Sequence, residues 1–173
     1  PGELILSGVN PFNGNPTVTA GLLTIGNSLA LQNSTLATSG SIASTGVTNG
    51  LKTTVTTLTL GGLSGDKNLA SLFDASNGYG SVTNVTLNPG TGADITYTGV
   101  IADGAAGMTL TKTGAGKQTL NAVNLYTGGT FLSGGGPLNY SNASALSRGP
   151  ITYNGGAVLQ AGVATSLANA INV

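Results

Sequence analysis

Gly116-Lys117-Gln118-Thr119-Leu120-Asn121-Ala122-Val123-Asn124-Leu125-Tyr126-Thr127-Gly128 lies, at a constant offset, on Gly2-Glu3-Leu4-Ile5-Leu6-Ser7-Gly8-Val9-Asn10-Pro11-Phe12-Asn13-Gly14. Leu6 matches Leu120, Val9-Asn10 matches Val123-Asn124, Phe12 matches Tyr126, and Gly14 matches Gly128. After one dropped residue, Thr17-Val18 falls on Thr130-Phe131 and Gly21 on Gly134. A strand–turn–strand unit has been duplicated. Self-similarity of this kind marks architectures in which one unit buries its apolar face against the next.

The rest of the chain keeps the same rhythm. Apolar and polar residues alternate in short bursts: Leu4-Ile5-Leu6, Thr17-Val18-Thr19, Leu22 to Ile25, Thr54 to Leu60, Val82 to Leu87, Ile95 to Val100 and Met108 to Leu110. Thr beside Val, Leu or Ile suits a pleated, half-buried surface. Gly or Asn-Gly closes most bursts, as at Gly26, Asn49-Gly50, Gly61-Gly62 and Gly128-Gly129, and supplies turn conformations. Closely spaced strands with turn chemistry between them predict an all-β fold. Two stretches depart from the pattern. Asn68 to Asp74 predicts about two helical turns, N-capped by Asp66 or Asn68, and Thr165 to Ile171 predicts a weaker helical excursion.

Composition narrows the function. Of 173 residues 29 are Gly, none is Cys, His or Trp, and 6% are charged, with formal net charge +0. Ser, Thr, Asn and Gly make up roughly half of the chain, against the mixed composition of ordinary globular domains. Without Cys or His there is no usual zinc or copper site, no thiolate nucleophile and no Ser-His dyad, and no cofactor is expected. Five scattered basic residues give no footprint for nucleic acid. No apolar run reaches membrane-spanning length. Disorder combines low hydrophobicity with high net charge, whereas this chain is 39% hydrophobic and neutral. The start at Pro1, with no charged-then-apolar leader, predicts that any export signal lies outside the segment.

Leu110-Thr111-Lys112-Thr113-Gly114-Ala115-Gly116, followed by Thr119-Leu120 and Asn124-Leu125-Tyr126-Thr127-Gly128-Gly129-Thr130, resembles the autotransporter-associated β-strand repeat of bacterial surface and secreted proteins. Gly2 to Ile25 resembles a second, degenerate copy. In this sequence Lys117-Gln118 adds a residue beside the strand, and Asn121-Ala122 replaces the usual Ser-Gly. The resemblance implies a right-handed parallel β-helix outside the cell or on its surface. The chain then reads as one β-solenoid segment, residues 1–173, of a longer repeat protein, with repeat copies near 2–25 and 110–140.

Rungs of about 20–25 residues stacked at ~4.8 Å predict about seven rungs and a rod on the order of 35 Å long. Leu, Val and Ile form inward columns, while Thr, Ser and Asn form outward or corner ladders. Asn10 and Asn124 are expected at corners, their amides bonding turn backbone. Phe12 and Tyr126 are expected to cover the adjacent core, and Gly14, Gly128 and Gly129 to form the turns. Unpaired ladder groups at the two ends predict continuation by further chain or head-to-tail docking of another copy.

Sharper site readings are weaker. Glu3, Asp66, Asp74, Asp94 and Asp103 are far apart, with only Asp94 and Asp103 placed to stack on adjacent turns; no catalysis is expected. Gly114-Ala115-Gly116-Lys117 lacks phosphate-loop spacing, and the nonapeptide calcium pattern is missing. Tyr79, Tyr97, Tyr126, Tyr140 and Tyr153 would make a sugar-binding strip if they shared a face. Two functional readings remain. One is a stiff scaffold, stalk or fibre subunit. The other is an adhesin that binds a glycan or host surface through Gly65 to Gly80, with Lys67, Phe73 and Tyr79 as its contact residues.

Overall fold

The computed structural model describes residues 2–41, 43, 49–73, 76 and 78–173. Short strands succeed one another: β1 (Glu3–Leu6), β2 (Leu22–Ile25), β3 (Leu31–Ala37), β4 (Gly50–Thr53), β5 (Thr57–Ser64), β6 (Asn84–Leu87) and β7 (Asp94–Tyr97). They continue as β8 (Thr109–Lys112), β9 (Lys117–Leu120), β10 (Thr130–Leu132), β11 (Pro137–Tyr140), β12 (Ile151–Tyr153), β13 (Val158–Ala161) and β14 (Ile171–Asn172). Among the described residues no strand pairs with its immediate neighbour in sequence except β1 with β2 and β5 with β6, and every pairing is parallel. Parallel neighbours require the chain to travel round before it returns. The result is a β-solenoid of about seven turns.

Three parallel sheets form its faces. The longest has seven strands in the order β14-β12-β10-β8-β6-β5-β3; a second runs β13-β11-β9-β7, and a third β1-β2-β4. Alternation along each strand sends one set of side chains inward. Leu31, Leu60, Leu87, Lys112, Leu132 and Tyr153 occupy one inward column, and Leu58, Val85, Leu110, Thr130 and Ile151 another. Leu87, Leu110, Leu132 and Ile151 are buried, as expected of columns that exclude water. Outward, Thr59, Thr86 and Thr111 stack in register. Asn84 ties this face together: its Nδ2 donates to Thr109 Oγ1 and Thr111 Oγ1, each at 2.8 Å, and its Oδ1 accepts from Thr86 at 2.7 Å.

Both helical expectations need correction. Between Asn68 and Phe73 the chain makes a single 3-10 turn, Leu69–Leu72, with no side-chain cap; Asp74 lies outside the described residues. The Asn68 side chain accepts from Val100 N at 3.0 Å instead, so its amide serves the next turn of the solenoid rather than a helix. Thr165 to Ile171 is not helical and ends in β14, which pairs with β12. In both places the gain from adding a rung to a growing sheet outweighs weak local helix propensity. Lys117 and Gln118, read as an insertion beside a strand, are in-register members of β9, opposite Asp94 and Ile95.

Candidate functional site

The repeat corners hold the densest set of side chains that act across turns. Asn124 is buried at 3% exposure. Its Oδ1 accepts the Ile101 N–H at 2.7 Å, and its Nδ2 donates to the Ala145 carbonyl at 2.6 Å. One side chain therefore joins three successive turns. In the first copy, Asn10 Nδ2 donates to Ala30 O at 3.3 Å and to Gly8 O at 3.2 Å, in a half-buried setting.

What receives these amides was not singled out in the sequence. Ala30 ends a turn in which Asn27 Oδ1 accepts from Leu29 N at 2.9 Å and Asn27 O accepts from Ala30 N at 3.0 Å. Ala145 ends the same turn built on Asn142, whose Oδ1 accepts from Ser144 N at 2.9 Å. Such Asx turns bond their own backbone two residues on. The signal was available as Asn27-Ser28-Leu29-Ala30 and Asn142-Ala143-Ser144-Ala145, each one turn beyond its corner asparagine.

The aromatic partners diverge. Tyr126 is fully buried, and its hydroxyl bonds Thr130 Oγ1 at 2.6 Å, which satisfies two polar groups inside an apolar column. Burial pushes the Tyr126 hydroxyl pKa well above the ordinary phenol value. Phe12, expected over the core, is instead 40% exposed. It follows β1, whose other edge carries no further turn among the described residues, so no second layer closes over it. The glycines diverge too. Gly129 has φ 95°, and a Cβ there would stand 2.6 Å from Pro150 O, so only glycine fits. Gly128 packs under the Gly107 carbonyl, while Gly14 is exposed with open space around it.

The contact residues expected in the Gly65 to Gly80 stretch, Lys67, Phe73 and Tyr79, do not project into solvent. Phe73 and Tyr79 are each 6% exposed, with ring centroids 4.9 Å apart, and Tyr79 Oη donates to Ala102 O at 2.9 Å. Lys67 is half-buried and donates to Ser41 O. The tyrosines form no common strip: Tyr79, Tyr97 and Tyr126 are core, and Tyr140 and Tyr153 pack against it.

Four acids also serve stacking. Thr24 Oγ1 donates to Glu3 at 2.6 Å, Ser39 Oγ to Asp66 at 2.8 Å, and Lys117 pairs with Asp94 at 2.7 Å. Asp103 accepts from both the Thr127 N–H at 2.8 Å and its hydroxyl at 2.7 Å. Asp94 sits beside Lys117 and Asp103 beside Thr127, so the two carboxylates do not stack on one another. Among the described residues no three His, Cys, Asp or Glu side chains gather as a metal site, and no helix is long and apolar enough to cross a membrane.

The segments that carry these corners are those with recognisable relatives. A family model described as passenger-associated-transport-repeat matches residues 1–25 and 110–136. No curated protein and no solved structure matches the chain. The two segments that match the passenger-associated-transport-repeat are thus each laid into the wall of a β-solenoid.

Proposed function

We propose that this chain is a non-catalytic structural element of a bacterial passenger region, a stiff solenoid that serves as scaffold or stalk. The repeat family implies a surface or secreted location. The observation that supports a mechanical role is the use made of scarce polar chemistry. Four of the five acids, Glu3, Asp66, Asp94 and Asp103, each bond a residue of an adjacent turn, and Asn124 joins three turns at once. Groups committed to rung stacking resist separation of the turns. The free edges of β1 at one end and of β13 and β14 at the other accept a further parallel strand, from adjoining chain or from a second copy.

A second reading has one observation in its favour. Val123 and Leu125, on either side of Asn124, are 54% and 59% exposed and flank a shallow groove with Ser144 and Arg148. An adhesin would place a partner there.

Electron microscopy of the purified protein, paired with glycan-array binding, separates the readings. Rods or filaments with a repeat near ~4.8 Å and no saturable glycan binding are expected. Saturable binding abolished by Val123→Asp and Leu125→Asp would overturn the scaffold reading in favour of the adhesin.

A further inference from the structure

Lys112 breaks the apolar column at its middle, with Leu87 on one side and Leu132 on the other. Its side chain is 1% exposed. The four-carbon stem takes the place that leucine fills in the neighbouring turns, and the ammonium runs on to the corner. There it donates to Thr113 O, to Gly114 O at 3.0 Å and to Gly136 O at 3.5 Å. An ammonium has three donors and no acceptor, and three carbonyls meet it. Gly114 and Gly136 belong to successive turns, which are also joined by the Gly136 N–H to Gly114 O bond at 3.2 Å. Among the described residues no carboxylate compensates the charge: Asp94 is held by Lys117, and Glu3, Asp66 and Asp103 are bonded elsewhere.

A buried unpaired ammonium is costly unless its surroundings solvate it. Carbonyl dipoles converging from two turns offset part of that cost, in the manner of an ion site built from backbone oxygens. We propose that the corner formed by Thr113, Gly114 and Gly136 is a cation site for a primary ammonium, which the chain fills with its own Lys112. Shortening the side chain then leaves a channel the width of an alkyl chain that ends in three carbonyls without their ammonium donor, of which Gly114 O keeps its bond from the Gly136 N–H, and a free alkylammonium enters it. Methionine at the same position fills the channel and takes the ammonium donor away from Thr113 O and Gly136 O.

Thermal unfolding of the full chain tests this with Lys112→Ala and Lys112→Met, each in sodium chloride, n-butylammonium chloride or tetramethylammonium chloride at equal ionic strength. Both variants are expected to melt below the native chain. Only n-butylammonium should raise the Tm of Lys112→Ala, saturably, and it should not move Lys112→Met beyond the sodium control. A Lys112→Ala that ignores butylammonium, or a Lys112→Met as stable as the native protein, overturns the site. Should neither variant fold, nitrogen-15 NMR of the native lysines decides. A protonated, slowly exchanging Nζ on Lys112 at neutral pH is expected, and a rapidly exchanging or neutral one refutes the proposal.

Discussion

Asn124 donates its amide to the carbonyl of Ala145, one turn further along, at 2.6 Å, and Asn10 does the same to Ala30 at 3.3 Å. The two repeat copies thus share one corner bond, tight and buried in the second and looser and half-buried in the first. Asn124→Ala removes both of its bonds and strands the Ile101 N–H and the Ala145 carbonyl in the interior. The expected loss is ~1–3 kcal/mol, read as a lower urea midpoint at unchanged slope. Asn10→Ala should shift the midpoint less, since water reaches that corner. Equal shifts would mean that burial is not what distinguishes the copies.

Gln118 imitates a peptide group. Its Oε1 accepts the Leu63 N–H at 3.1 Å and its Nε2 donates to Leu63 O at 2.9 Å, close to the Gly65–Tyr97 bridge between neighbouring turns. Gln118→Leu keeps the volume and removes both bonds, at a cost of ~1–3 kcal/mol. Gln118→Glu should cost more at neutral pH than at pH 4, because a carboxylate faces Leu63 O while the protonated acid restores a donor. Chemical denaturation at the two pH values checks this.

Stability should pass through a maximum in alkali. Burial pushes Lys112 down to about 8 from 10.5, so between those values the folded chain binds fewer protons than the unfolded one and stability rises with pH. Tyr79, Tyr97 and Tyr126 act in the opposite sense. Burial raises all three above their ordinary value of 10.0, so above that pH the unfolded chain loses protons that the folded chain keeps, and stability falls. Tm should therefore climb from pH 7.5 to about 9.5 and drop beyond about 10.5. Lys112→Met should abolish the climb and leave the drop.

Gly129→Ala places a side chain at φ 95° and against Pro150 O, with an expected loss of ~1–3 kcal/mol. Gly14→Ala, at the turn of the other repeat copy, meets nothing within 4 Å and should leave the melting temperature unchanged within ~1 °C. Differential scanning fluorimetry of the two variants distinguishes them.

Periodicity alone could not assign inside and outside to the large aromatic residues. Phe73 and Tyr79, in a stretch read as an exposed loop, stack at 4.9 Å in the core, while Phe12, read as core, stays 40% exposed. Local pattern records which residues alternate, but the layer that covers them comes from a turn twenty or more residues away. Lys112 shows the same limit: by type it reads as a surface residue, and only the register with Leu87 and Leu132 sets it inside.

The duplicated Val-Asn-x-aromatic-x-Gly corner, the Thr-rich alternation and the glycine punctuation determined from sequence that this chain folds as short strands in repeated units, because those features depend only on local geometry and on the period at which it repeats, while the parallel stacking was implied by the family resemblance. Tertiary structure decided which carbonyl each polar side chain reaches. Asn124 to Ala145, Gln118 to Leu63 and Lys112 to Gly136 all join different turns. Their pairing follows from the length of each turn, which sets the register, and a shift of one residue would give every one of them a different partner.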